Sequence, residues 1–550
     1  MNKILDLFSG AGGFSLGFKL AGMSVDTHIE IDKYASETLK KNFPNAQIIT
    51  EDIKFINPSS LNNINVIIGG PPCQGFSVAG STQFGMNDKR NELVFWYLQF
   101  IQELSPKIAI IENVPNVLTK KSKEGDTFLD LITKIGSEMG YKVKYKILNS
   151  VNYGVPQSRR RAFIVLYSPN ATFHFPEITH GFRENNKSLF QLEKVVTVGE
   201  ALDDLPDVLA GQIGSGLPYK QKPNNPYQEY CRSQSNVVIN HDPMKHTERV
   251  LERFRIIKQG QSLKDVPISH GQIAYGTGEK VKNPFKYNNY RLDSTKPSLT
   301  IPASYQSLFV HPQLDRNLTA REGARLMSFP DWYEFTGPKT MMSWETGLSQ
   351  YNQIGNAVCP LVGRAIAYQV KDYLDKTKNL SFSTSPSNTL KNIHKNLVKH
   401  RFTLDDAFKN KLQFKIIKKL AINKCKESKY FDTNKSVFHV NNLEISLEAV
   451  TYAYNLLITK KCPICNDQIE PFGNHNGSIN LLISKSNIDS LIAKEKDNGL
   501  DFHLRILTGE DKRIANEVAM ILQDLEIATI TTAQNPRTGK NVKSLTLLDK

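Results

Sequence analysis

At residues 69–77 the chain reads GGPPCQGFS, and its cysteine, Cys73, follows two prolines at the end of an apolar run, NVIIGG. Proline fixes φ, so such a turn holds a thiol in one direction. As a thiolate, cysteine is a strong nucleophile. Two further stretches carry groups that would serve it. The run IAIIENV ends in Glu112 and Asn113, and QSRRRAFIV sets Arg159 and Arg161 two positions apart. In an extended strand that spacing points both arginines to one face. A nucleophile, a carboxyl group and a guanidinium together suit attack on an electron-poor ring. A thiolate could add to carbon 6 of a cytosine while Glu112 bonds or protonates N3 and an arginine holds O2. Carbon 5 then becomes nucleophilic enough to take a methyl group. Singly, each residue has a plain structural reading: a buried thiol, a surface acid, a basic strand. The combination departs from it.

A methyl donor would need its own site, and DLFSGAGGFSLGF at residues 6–18 has the form of one. A strand ends, glycines turn tightly, and a helix begins, which brings backbone N–H groups close to a ligand. About 20 positions on, HIEID places Glu30 where it can bond ribose hydroxyls, with Ile31 beside an adenine. TEDI puts Asp52 and Ile53 at the same edge. Solvated strand ends are the plain alternative, and acids falling together at one carboxyl edge make it the weaker one. Without phosphate-binding partners, a nucleoside such as S-adenosylmethionine fits better than a dinucleotide.

These residues must be held by a regular scaffold. Over the first 170 residues, KILDLFS, VDTHIEI, AQIIT, NVIIGG, IAIIENV, VKYKIL and AFIVLY read as strands. Between them GFSLGFKLAG, KYASETLKKNF, NELVFWYLQFIQEL and GDTFLDLITKIGSEMG read as helices. Such alternation predicts an α/β fold, a doubly wound and mostly parallel sheet covered on both faces. Residues 181–315 lose the rhythm and are rich in Asn, Gln, Gly, Pro, Tyr and Lys, which suits an irregular domain that makes contacts. Helical patterns return at TAREGARLMSF and CPLVGRAIAYQVKDYL. The Ser/Thr/Asn-rich stretch that follows reads as a linker. No internal repeat of 20–50 residues is visible.

Composition narrows the class. The 550 residues are 40% hydrophobic and 22% charged, and a net charge of +15 favours a polyanionic partner. No apolar stretch reaches the length of a membrane span, and MNKILDLFSG is not a signal peptide, so a cytoplasmic protein without a membrane partner is expected. Six scattered cysteines are no disulfide framework, which leaves Cys73 a free thiol.

The chain resembles the DNA (cytosine-5) methyltransferases. The resemblance is carried, in family order, by DLFSGAGGFSLGF, IEIDKYASETL, GGPPCQGFS, IENV, QSRRRAFIV, RNLTAREGARLMSFPDWYEF and QIGNAVCPLVGRAIA, over roughly residues 1–375. It implies Cys73 as nucleophile, Glu112 as the N3 partner, Arg161 as the O2 contact and Arg159 as its support. It implies a pocket for S-adenosylmethionine lined by Phe8, Gly10, Gly12, Glu30, Ile31, Asp52, Ile53, Pro72 and Leu93, closed by Asn356 and Ala357. Many relatives carry Ser where Ala357 stands. QGFSVAGSTQFGMNDKR would be a loop closing on double-stranded DNA, from which the cytosine must be flipped. The domains expected are residues 1–180 for catalysis and cofactor, 181–315 for target recognition, 316–378 returning to the catalytic domain, 379–392 as linker and 393–550 as an accessory α+β domain. A monomer is expected, in a restriction–modification setting with an endonuclease acting on the same site. A tRNA-directed branch also resembles this family, but its recognition region is compact and the insert here is long. A binding protein with a vestigial site is the other alternative, opposed by intact PPCQ, ENV and QSRRR.

The last 160 or so residues lie outside the resemblance. Residues 390–550 carry 25 Lys/Arg against 18 Asp/Glu. Cys462 and Cys465 stand at metal-ligand spacing with His475 nearby, but zinc takes four ligands and no second Cys-x-x-Cys exists, so a simple turn is favoured and no metal is assigned. At the end, an amphipathic helix precedes two Thr/Ile/Leu-rich strands joined by NPRTGKN. That pattern fits either a winged-helix module, whose Arg537, Lys540 and Lys543 would meet phosphates, or an ordinary hairpin closing a small domain.

Overall fold

The structure is a computed structural model that describes residues 2–72, 92–119, 127–182, 192–271, 287–341 and 347–399, with shorter stretches between 428 and 547. Cys73 and its loop, Cys462, Cys465, His475, Arg537 and Lys540 lie outside the described residues. The chain divides into two compact units, Met1–Lys391 and Asn392–Lys550.

The first unit is built on seven strands, all seven of the apolar runs quoted above. They are β1 (Lys3–Leu7), β2 (Thr27–Ile29), β3 (Gln47–Ile49), β4 (Ile64–Gly69), β5 (Ile108–Asn113), β6 (Lys142–Asn149) and β7 (Arg160–Tyr167). The order across the sheet is β3-β2-β1-β4-β5-β7-β6. The first five run parallel, and β7 is antiparallel to both of its neighbours. Every residue of the central β5 is buried, as a strand covered on both faces requires. The edge strand β6 instead alternates Lys142, Lys144 and Lys146 with apolar residues, and lysines on an edge discourage pairing with another chain.

Helices α1 (Gly13–Leu20), α2 (Lys33–Asn42), α3 (Glu92–Leu104) and α4 (Phe128–Glu138) connect the strands. On α3, Tyr97 is buried against the sheet, and its hydroxyl donates to the Ile110 carbonyl at 2.8 Å, so burial of the ring leaves no polar atom unpaired. The described residues of 180–310 form short elements: strand pairs β8 (His180–Gly181) with β9 (Glu193–Lys194) and β10 (Tyr290–Arg291) with β11 (Phe309–Val310), and helices α5 (Val198–Leu202), α6 (Pro226–Arg232), α7 (Glu248–Ile256) and α8 (Tyr305–Leu308).

The return begins with α9 (Ala320–Leu326), opened by a capping box between Thr319 and Glu322. The arginines in it and just before it are not surface charges. Arg316, Arg321 and Arg325 are all at most 1% exposed. Arg316 grips Glu322 with both nitrogens at 2.8 and 2.7 Å, Arg325 pairs with Asp331 and Asp204, and Arg321 donates to the carbonyls of Ile239, Pro330 and Tyr333. Asp204 and Ile239 come from the irregular region, so these buried pairs stitch it to the returning chain. Then α10 (Gln350–Asn356) and α11 (Pro360–Lys376) bring the chain back onto α1. A Cβ on Gly17 would stand 2.5 Å from the Gly363 carbonyl carbon, so the two helices cross backbone against backbone.

Of residues 379–392, the stretch whose composition reads as a linker, those up to Lys391 belong to the first unit and are bound to it. Phe382 packs on Tyr141, Thr384 donates to the Gln102 carbonyl, and Glu138 accepts from Ser387 and Thr389. Those hydrogen bonds hold the Glu138 carboxyl down to about 2. They also cap α12 (Asn388–Lys399).

In the second unit, strands β12 (Phe431–Asp432), β13 (Val437–Val440) and β14 (Leu443–Ser446) form an antiparallel sheet. A helix, Ala515–Asp524, precedes the hairpin of β15 (Ala528–Gln534) and β16 (Asn541–Leu547), paired from Ala528↔Leu547 to Gln534↔Asn541. The helix and both strands are those expected from the sequence, and Lys543 faces Thr532 across the ladder. Among the described residues no helix is long and apolar enough to cross a membrane, and none of their His, Cys, Asp and Glu form a metal-binding cluster.

Candidate active site

Strand register aligns the ends of five parallel strands: Ile49, Ile29, Leu7, Gly69 and Ile111 lie in one row across the sheet. One step further along each strand come Glu30, Phe8, Gly70 and Glu112. The candidate residues therefore share the carboxyl edge, where ligands of open α/β sheets bind.

On the donor half, the chain leaves β1 through Phe8 (φ 58°) and Gly10 (φ 52°) and enters α1 from Gly12 (φ 74°). Left-handed φ at Gly12 suits glycine, because a side chain there would be strained. The Gly10 N–H donates to Glu30 Oε2 at 2.7 Å and the Asp32 N–H to Oε1 at 2.8 Å. Glu30 thus ties the glycine loop to the end of β2. Burial pushes its carboxyl up, while the backbone donors oppose the shift. Beside it Ile31 is 51% exposed, an apolar side chain left uncovered at the edge. Asp52 is buried and accepts from the Lys54 N–H at 3.1 Å, and Ile53 is buried as well. Pro72 is exposed, and Leu93 is half-buried on α3. Asn356 is exposed at the end of α10, whereas Ala357 is buried. A Cβ on Gly13 would fall 2.2 Å from the Val358 carbonyl oxygen, so the Ala357–Val358 backbone closes directly on the glycine loop.

Under that loop lies a group the sequence reading missed. Asp6 on β1 accepts from Ser15 Oγ of α1 at 2.5 Å and lies 3.9 Å from His28 Nδ1 of β2. Burial pushes the Asp6 carboxyl up to about 8 and the His28 imidazole down to about 3, so both are neutral at ordinary pH. Only a carboxyl group one strand-turn before GAGG hints at this network.

On the acceptor half, the Glu112 carboxylate stands 3.1 Å from Arg161 Nε. Register explains the meeting: Glu112 pairs with Phe163 on β7, and Arg161 follows on the same face. Burial raises the Glu112 carboxyl above its usual range, with the Arg161 and Arg159 guanidinium groups opposing. Gly70 makes room for this carboxyl, since a Cβ there would come within 3.0 Å of Glu112 Oε2. Asn113 fixes the turn that leads to Cys73: its Nδ2 donates to the Pro71 carbonyl at 3.0 Å, and its Oδ1 accepts from Val114 N–H.

Arg159 shares the face of Arg161 but is employed differently. It is 4% exposed, and its terminal nitrogens donate to the carbonyls of Ile301 (2.8 Å), Gly355 (2.9 Å) and Ala357 (3.2 Å). Burial lowers its guanidinium to about 9. Arg159 therefore holds the segments around the crevice, while Arg161, with a fifth of its side chain exposed, lies open to it. Alternation along QSRRR gives the shared face, and the carbonyls waiting there come from distant parts of the chain.

Comparison with known proteins gives the family of the chain. Residues 2–372 match the model of the family described as C-5 cytosine-specific DNA methylase. The chain is 43% identical over 378 residues to Type II methyltransferase M.DdeI of Desulfomicrobium norvegicum, covering 68% of this chain and 89% of that one. It is 34% identical over 373 residues to Type II methyltransferase M1.HphI of Haemophilus parahaemolyticus, covering 66% and 86%. Among solved structures it is similar to a prophage-encoded E. coli protein described as a DNA modification methyltransferase, with a TM-score of 0.52 at 25% identity over 68% of this chain and 100% of that one.

Proposed function

The chain belongs to the C-5 cytosine-specific DNA methylase family, and from that premise we propose that it methylates carbon 5 of a flipped-out cytosine in a specific double-stranded DNA sequence, through a covalent adduct on Cys73. The observation that carries this reading is the pairing of buried Glu112 with the partly exposed Arg161 at the carboxyl edge, beside the turn that Asn113 fastens at Pro71.

Bound at the glycine loop, S-adenosylmethionine would supply an electrophilic methyl group. The residues suit it: Glu30 offers remaining lone pairs to ribose hydroxyls, and the exposed Ile31 offers an apolar face to an adenine. Stacked neighbours cover both faces of a cytosine in duplex DNA, so it must leave the stack, at a cost of roughly a few kcal/mol. Arg161 then holds O2 and Glu112 meets N3. The Cys73 thiolate forms a bond to carbon 6, and the carbon 5–carbon 6 π electrons shift into the ring as the Glu112 proton passes to N3. Carbon 5 takes the methyl group. Loss of the carbon 5 proton to solvent, rupture of the sulfur–carbon bond and return of the N3 proton to Glu112 restore the ring, the free thiolate and the acid. Burial raises this carboxyl above its usual range, which favours the protonated form that the step needs.

Arg159, Gly355 and Ala357 form the frame behind these groups. Residues 181–315 read the target sequence, and the resemblance to Type II methyltransferases supports a role in protecting DNA from an endonuclease that cuts the same site. Incubating the full chain and S-adenosylmethionine with mixed-sequence duplex DNA and, separately, with tRNA tests the reading. Bisulfite sequencing should return one methylated cytosine in a fixed sequence in DNA and none in tRNA. Methylation confined to tRNA would contradict it.

A further inference from the structure

A hydrogen-bonded seam runs between PQSRR and SLTIP at residues 298–302. Ser158 N–H donates to the Ser298 carbonyl at 2.8 Å, Ser298 N–H to the Pro156 carbonyl at 2.9 Å, and Thr300 Oγ1 to the Ser158 carbonyl at 2.9 Å. Gln157 and Ser298 form a parallel bridge. The side chains on either side of Ser158 then take hold of one residue, Ile301. Gln157, with 0% exposure, accepts from the Ile301 N–H at 2.8 Å, and its Nε2 donates to the Leu326 carbonyl at 3.0 Å. Arg159 donates to the Ile301 carbonyl at 2.8 Å. Ile301 is held by both its donor and its acceptor.

Location gives this clamp its meaning. Residues 298–301 lie near the end of the irregular region, on the way to the return at α9. Arg159 leads, two positions along one strand face, to Arg161, which reaches Glu112 at 3.1 Å. A displacement of the returning segment would thus pass through Ile301 to the strand that carries the cytosine contact. We propose that Gln157 is a positioning residue for methyl transfer: it fastens the exit of the recognition segment to the arginine strand and so fixes where the target base meets Arg161 and Glu112. This rests on the function proposed above.

The test uses the full chain as wild type, Gln157→Leu and Thr300→Val, on a duplex carrying the methylated site with 5-fluorocytosine at the target. Gln157→Leu keeps the volume but removes the acceptor for Ile301. Covalent trapping and kcat should fall about 10- to 100-fold, since a misplacement of about 1 Å costs on the order of 10²-fold. DNA affinity and KM should stay within about twofold. Thr300→Val removes one exposed hydrogen bond of the same seam and should slow trapping by about two- to threefold, again without loss of DNA affinity. Wild-type trapping by Gln157→Leu, or a loss confined to DNA affinity, would overturn the proposal. If Gln157→Leu does not fold, wild-type trapping by Thr300→Val overturns it equally. A wild-type chain that forms no adduct overturns the functional reading and this inference together, whereas wild-type methylation beside an unimpaired Gln157→Leu removes the inference alone.

Discussion

At Glu112, burial and charge act in opposite directions. Desolvation favours the protonated carboxyl and the two arginines favour the carboxylate, with burial the larger influence. A group so balanced can donate a proton to N3 and take it back. Glu112→Gln keeps the shape but has no acidic proton, so kcat should fall roughly 10²-fold or more while S-adenosylmethionine affinity holds, as single-turnover kinetics and equilibrium binding would show. The wild-type kcat profile should also carry a limb that falls as pH rises through the raised Glu112 pKa, and the variant should lack it. Asp6 gives a second pH effect, on stability. Its folded value of about 8 lies above that of an unfolded aspartate, so the folded chain binds a proton the unfolded chain has lost. Stability then falls as pH rises from about 4 to 8, by roughly 1 kcal/mol per pH unit, and levels off above. Asp6→Asn keeps an acceptor for Ser15 without a titrating charge. Urea unfolding at pH 5.5 and 8.5 should show a smaller loss in Asp6→Asn than in wild type; equal losses would mean that Asp6 is ionised throughout.

Among the elements, α1 carries the glycine loop, and α11 decides where α1 sits. The Gly17–Gly363 crossing leaves no space for a side chain. Gly17→Leu should cost about 3 kcal/mol or more by overpacking and should weaken S-adenosylmethionine binding, because α1 begins at the loop. Chemical denaturation and equilibrium binding check both effects. Much of this layer was readable beforehand. Apolar runs and the amphipathic stretches between them mark all seven strands and the connecting helices, and strand ends in sequence order place Glu30, Asp52 and Glu112 at one edge. Closure between distant segments was not readable. Nothing in FSLGF announces its contact with LVGRA, and nothing in QSRRR says that Arg159 spends its donors on the carbonyls of Ile301, Gly355 and Ala357. The polar stretch after α11 misled for a similar reason: Ser and Thr suit a solvated linker, but here their hydroxyls pair with Glu138, Ser105 and Gln102.

For the whole molecule, that strap sets where the chain can be cut. Truncation after Lys391 keeps Ser387, Thr389 and Leu390 in place, and residues 1–391 should fold and methylate the same sequence. Loss of the basic second unit should weaken DNA binding and flatten its dependence on salt, as fewer phosphates are neutralised. Truncation after Lys376 also strips Phe382 from Tyr141 and the partners from Glu138, and should cost a few kcal/mol of stability. A change of target sequence in the 1–391 chain would place part of the target reading in the second unit. The account as a whole stands on one bond, between Cys73 and carbon 6 of a flipped cytosine. Duplex DNA carrying 5-fluorocytosine at the target should trap the wild type with S-adenosylmethionine in a denaturation-resistant complex, because fluorine at carbon 5 blocks the elimination that frees the enzyme. Mass spectrometry should find the adduct on Cys73, and Cys73→Ala should bind the same duplex without forming one. A wild type that methylates DNA without trapping, or turnover by Cys73→Ala, would contradict the account.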